Sequence, residues 1–199
     1  MLMKLIKKFF SKPVPPELPV KLNRKEIIDS IDYNKFKSLE YVNTKQKTLL
    51  LVDDIEISEF LYKADFDGLL SMYKLDVMNE YNYVKALGPV CGYSAINFIR
   101  TSEVLITHAI LDLTLGHIEI VSDGTYIEVD GVDIAIELYR HNPDVKILFS
   151  TAHSLDNKNS TVKYYFNKLQ EATGRSLLDL YLNKNGDRKD SLYNLLKKG

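Results

Sequence analysis

The sequence predicts an α/β fold: a doubly wound, mainly parallel sheet carrying one inserted β-hairpin. Three observations predict it. Short apolar or β-rich runs recur from residue 47 onward, helix-like stretches separate them, and Asp123-Gly124 sits between two stretches of alternating apolar and polar residues. Strands alternating with helices build βαβ units. Near-continuous apolar strands are buried on both faces. Asp-Gly between alternating stretches marks a tight hairpin turn.

Taken in order, residues 1–20 stand apart. Leu2, Leu5, Ile6, Phe9 and Phe10 fall near one helical face, with Lys4, Lys7 and Lys8 mostly on the other, and four of the chain's six prolines follow at 13, 15, 16 and 19. An amphipathic segment and a semi-rigid linker are expected there. Over residues 1–24 the six basic side chains of Lys4, Lys7, Lys8, Lys12, Lys21 and Arg24 face a single acid, Glu17. Segment 1–10 therefore suits a membrane surface or a partner, or else packs on its own domain or a second subunit or forms a disordered end. Residues 21–46 read as a short helical extension, with Asn23 as N-cap and Glu26 three residues later. The remaining 47–199 form the main domain with a helical C-terminal tail. Its expected strands are 48–52, 108–113, 145–150 and 162–166, with 81–87 a weaker candidate. Helix-like stretches lie between them at 55–78, 92–103 and 132–141, and the hairpin spans 117–129.

Composition narrows the function. Of 199 residues, 45% are hydrophobic and 27% charged, with a net charge of −1, so no overall basic excess argues for nucleic acid. Cys91 is the single cysteine, which rules out an internal disulfide and suits a small core residue. No apolar run approaches the roughly 20 residues of a membrane span, and the N-terminus makes a poor signal peptide. A cytoplasmic location is expected. The four histidines, at 108, 117, 141 and 153, show no metal-ligand spacing. His108 is expected in the interior.

The chemistry sits at strand ends. The first strand runs into Asp53 and Asp54, the 108–113 strand carries Asp112, the 145–150 strand runs into Ser150 and Thr151, and the 162–166 strand runs into Asn167 and Lys168. Parallel strands bring their carboxyl ends to one edge, where ligands of such sheets bind. Adjacent carboxylates repel unless a cation lies between them. Three carboxylates without a His or Cys cluster make a hard oxygen site that favours Mg2+ over zinc. A carboxylate can also act as the nucleophile of phosphoryl transfer, with a lysine and a hydroxyl meeting the phosphoryl oxygens.

The order "LLLVDD", "AILDL", "ILFSTAH", "YYFNK" resembles the receiver domain of two-component response regulators over about residues 47–180. That resemblance implies a five-stranded parallel sheet of the flavodoxin-like kind. It makes Asp112 the phosphoacceptor, and Mg2+ the cofactor. Asp53, Asp54, Asp112 and the Thr114 backbone carbonyl would be the ligands, Asp54 binding directly and Asp53 through water. Thr151, ahead of Ser150, would be the switch hydroxyl, Lys168 the phosphate-contacting cation and Tyr165 the switching aromatic. A sensor histidine kinase or phosphotransfer protein would donate the phosphoryl group. Output would be a change of affinity for a partner protein, without a DNA-binding domain, and catalysis would be limited to self-phosphorylation and slow autodephosphorylation. This sequence departs in three ways. Leu169 replaces the proline that usually follows the lysine, the segment between Thr151 and Lys168 is short and polar where a fourth helix is usual, and the hairpin stands beside Asp112. The first two departures leave open a receiver-like interaction module that takes no phosphate, and the hairpin could gate access to Asp112 or recognise a particular kinase. An aspartate-nucleophile phosphatase fits less well, because position 55, where it needs a second acid, is Ile.

Overall fold

The computed structural model describes residues 28–29, 31–32, 39, 44–115, 118–121, 125–152, 160–176, 181–183 and 188–197. The chain divides into two compact units, Met1–Ile31 and Asp32–Gly199. In the first, residues 28 and 29 are helical. The expected amphipathic segment and proline-rich linker over 1–20 lie outside the described residues.

The second unit is built in the order β1 (Lys47–Asp53), α1 (Ser58–Tyr73), α2 (Val77–Glu80), β2 (Tyr81–Leu87), α3 (Cys91–Thr101), β3 (His108–Asp112), β4 (Ile118–Val121), β5 (Thr125–Glu128), α4 (Gly131–His141), β6 (Lys146–Thr151), α5 (Ser160–Thr173), β7 (Tyr181–Asn183) and α6 (Lys189–Lys197). Five strands form one parallel sheet in the order β2-β1-β3-β6-β7. Leaving out β4 and β5, that is the order of a flavodoxin-like, doubly wound sheet. β4 and β5 pair antiparallel from Ile118↔Glu128 to Val121↔Thr125, as a separate two-stranded sheet. Asp123 and Gly124, the expected turn, lie outside the described residues.

Alternation along the strands divides the core. Leu49, Leu51, Ile110 and Leu148 fall on one face and pack with Tyr62, Phe66 and Leu69 of α1 and Leu192 and Leu196 of α6. Leu50, Val52, Leu111 and Phe149 fall on the opposite face. All eight are essentially inaccessible to water apart from Leu148, which is 6% exposed. The central strands are hydrophobic on both faces because helices cover both.

Three expectations are corrected. Residues 162–166 are not a strand but part of α5. Val162, Tyr165 and Leu169 are buried at i, i+3 and i+7, a helical spacing that overrides the β-propensity of "VKYYF". The fourth helix, doubted within "AHSLDNKNSTV", exists as a 14-residue element that begins at Ser160 and runs beyond it. The fifth strand is instead the short Tyr181–Asn183, parallel to β6. The helix-like stretch 55–78 also breaks: Lys74 adopts a left-handed conformation (φ 58°) and closes α1, its N–H meeting the Leu69 and Leu70 carbonyls before α2 begins. Among the described residues no helix is long and apolar enough to cross a membrane.

Candidate functional site

β1 and β3 are neighbours in the sheet, so their carboxyl ends lie side by side. Asp53 ends β1, Asp54 follows it, and Asp112 ends β3. One carboxylate oxygen from each lies within 4.8 Å of the others. Asp53 is fully buried, Asp112 is 7% exposed and Asp54 is half-buried. Local hydrogen bonds orient the two buried acids. Asp53 Oδ1 accepts from Ile55 N at 3.0 Å, and Asp112 Oδ1 accepts from Thr114 N at 3.2 Å. Gly88 N donates to the Asp53 carbonyl at 3.1 Å, fixing the loop after β2 beside the cluster. Gly88 adopts φ +86°, which a side chain would strain.

The spacing fits a small divalent cation. Octahedral Mg2+, with ligands at about 2.1 Å, sets adjacent oxygens about 3 Å apart and opposite ones about 4 Å apart. A slight inward movement of three carboxylates spread over 4.8 Å reaches that geometry. The negative field is felt by Cys91, at the start of α3. Burial pushes its thiol pKa up to about 12, and the charges of Asp54, Asp53 and Asp112 add to the shift, while a Gly92 backbone hydrogen bond opposes it. Cys91 is therefore a neutral core thiol beside the acids.

The next strand supplies hydroxyls. Asp112 is in register with Ser150, and Thr151 follows as the last residue of β6. Ser150 and Thr151 are both buried. Ser150 Oγ and Thr114 Oγ1 are buried hydroxyls without a hydrogen-bond partner among the described residues. Such groups are costly unless something else satisfies them. The Ser150 carbonyl accepts from Leu113 N at 3.3 Å, which ties the Asp112 loop to β6.

Lys168 is elsewhere, and its expected place at a strand end is corrected. It lies on α5, and its Nζ is 2.6 Å from Asp130 Oδ2 and 2.6 Å from Asp133 Oδ1. Tyr165, on the same helix, is 5% exposed and meets the Tyr164 ring edge-to-face at 5.4 Å. Sequence reasoning missed Asp130 and Asp133. The signal was available: Asp130 precedes the apolar helix 131–141 with an acid three residues later, the pattern of a capping box. In the sequence Asn183 is followed by Lys184, which lies outside the described residues, as do His117 and His153.

No family model matches the sequence, and no curated protein matches it. Solved structures with similar chain paths include response regulators and receiver domains. Response regulator protein TrrA of Thermotoga maritima, solved with Mg2+ and BeF, is 20% identical over 77% of this chain and 98% of its own, with a TM-score of 0.45. The signal receiver domain of an HD domain-containing protein of Pseudomonas fluorescens is 14% identical over 77% and 94%, with a TM-score of 0.47. A CheY-like receiver domain protein of Methanospirillum hungatei is 14% identical over 76% and 92%, with a TM-score of 0.45.

Proposed function

We propose that this chain is a phosphoacceptor signalling switch in which Asp112 receives a phosphoryl group with the help of Mg2+. The observation that carries the reading is the meeting of Asp53, Asp54 and Asp112 at the carboxyl edge of the parallel sheet. Mg2+ would be held by these three carboxylates and the Thr114 carbonyl, and when bound it neutralises charge on the phosphoryl group. Asp54, the more exposed of the β1 pair, would bind directly, and the buried Asp53 through water. Asp112 would attack the phosphorus of the donor, forming an acyl phosphate as the bond to the donor's leaving atom breaks. Buried hydroxyls at the end of β6 would donate to the phosphoryl oxygens, Thr151 first among them. Lys184, the residue after β7 in the sequence, takes the phosphate-contacting role expected above of Lys168.

Acetyl phosphate and Mg2+ test this by intact mass. The wild-type chain is expected to gain one phosphoryl group, Asp112→Asn none, and Lys184→Met a reduced fraction. No gain in the wild-type chain would instead favour an interaction module that takes no phosphate.

The donor in the cell would be a sensor histidine kinase or a phosphotransfer protein. Ile55, Ile57, Phe60 and Leu61 give such a partner an exposed apolar surface right after Asp54, with Phe60 72% exposed. Phe60→Ser is expected to slow phosphoryl transfer from a protein donor tenfold or more, with the acetyl phosphate reaction unchanged. Equal slowing of both would contradict docking at this surface.

A further inference from the structure

A second charged cluster lies beside the first, and its parts are unusually well buried. The side chains of Lys168, Asp130 and Asp133 are 14%, 2% and 8% exposed. A buried ion pair is retained at low cost only where further hydrogen bonds satisfy both partners. Here they do. Asp130 Oδ1 accepts from Val132 N at 2.9 Å and Asp133 N at 3.0 Å, and Asp133 Oδ2 accepts from Asp130 N at 3.1 Å. Each carboxylate thus gives one oxygen to the first turn of α4 and the other to Lys168.

That first turn is the one that touches Asp112. Gly131 N donates to the Leu113 carbonyl at 3.3 Å, while Leu113 N donates to the Ser150 carbonyl at 3.3 Å. The approach is so close that a Cβ on Gly131 would lie inside van der Waals distance of the Asp112 carbonyl oxygen and 3.2 Å from Leu113 Cα. The main chain at Asp112-Leu113 is therefore gripped by β6 on one side and by the start of α4 on the other.

We propose that Lys168 is a positioning residue for the acidic cluster. By holding Asp130 and Asp133 it keeps the first turn of α4 against Asp112-Leu113. It thereby sets where the Asp112 carboxylate stands relative to Asp53 and Asp54. The inference rests on the metal-assisted phosphoacceptor reading and assigns to Lys168 a role in cation binding without contact to the phosphoryl group.

Charge and geometry predict opposite signs when Lys168 is removed. A lysine near a cation site repels the cation, so its loss alone would tighten binding, by a factor kept small by screening over about 8 Å. Loss of a group that orients a ligand loosens binding, typically 10–100-fold. Mn2+ titration of the full chain by calorimetry decides between them. Lys168→Met is expected to weaken Mn2+ binding about tenfold or more, and Lys168→Arg, which keeps the charge and can span both carboxylates, is expected to stay within about threefold of wild type. Lys168→Gln is the second variant should the methionine fail to fold, with the same weakening expected. Binding by the folded methionine or glutamine variant that equals or exceeds wild type would overturn the inference. A wild-type chain that binds no Mn2+ overturns this inference and the reading beneath it. A wild-type chain that binds Mn2+ but takes no phosphoryl group from acetyl phosphate overturns the phosphoacceptor reading alone, and the Lys168 result still stands.

Discussion

Gly131→Ala is expected to destabilise the fold by about 3 kcal/mol or more and to abolish tight divalent-cation binding. The added methyl would press on the carbonyl of Asp112, which is main chain of a central strand and cannot rotate aside. Relief requires α4 to withdraw, which breaks the Gly131–Leu113 hydrogen bond and pulls Asp130 and Asp133 from Lys168. Gly92→Ala is the control. A Cβ there would meet Val129 Cγ1 at 3.0 Å and Leu115 Cδ1 at 3.2 Å, side-chain atoms that can shift. Its expected cost is about 1 kcal/mol, with cation binding retained. Urea denaturation and Mn2+ titration of both variants check the contrast. Equal costs would mean that crowding common to both helix starts, and not the contact with the Asp112 main chain, accounts for the effect.

His108 is expected to make the chain sensitive to acid. It sits in β3 between Leu49 and Lys146, 2% exposed, with the Tyr81 ring edge-on at 5.1 Å. Its Nδ1 lies 2.9 Å from Thr107 Oγ1, while Nε2 has no partner among the described residues. Burial, then the charges of Lys146 and Lys47, lower its pKa to about 4. The folded state therefore resists a proton that the unfolded chain accepts near pH 6.5. The stability this confers is complete above pH 6.5, falls as pH drops toward 4, and levels off below. The total change is roughly 3 kcal/mol. His108→Phe keeps a ring against Tyr81 and removes the titrating group. Its stability at pH 7 is expected within about 1 kcal/mol of wild type. Near pH 4.5 it is expected to exceed wild type by roughly 2 kcal/mol. Parallel denaturation curves for the two proteins across this range would contradict the assignment.

The four long strands were legible because their physics is local. β1, β2, β3 and β6 are apolar or alternating runs bounded by polar residues, and each lies within one residue of its expected limits. β7 was not legible. Its three residues continue the apolar run "SLLDLYLN", which suits a helix as well as a strand, and their strand character comes from pairing with β6. The misreading of α5 has a related cause. "VKYYF" contains β-formers, and only the longer window through Leu169 exposes the helical spacing. The acidic cluster followed from strand order, since carboxylates at the ends of adjacent parallel strands must meet. The pairing of Lys168 with Asp130 and Asp133 did not, because it depends on how α5 packs against α4 across 38 residues of sequence.

Beryllofluoride binding followed by 19F NMR tests the central claim most directly, because the adduct requires the carboxylate acceptor and the divalent cation together and needs no partner protein. The wild-type chain is expected to show protein-bound fluorine resonances that appear only when Mg2+ is added. They should vanish in Asp112→Asn and weaken in Asp54→Asn. Bound resonances that persist in Asp112→Asn, or form without Mg2+, would contradict a metal-assisted phosphoacceptor at Asp112.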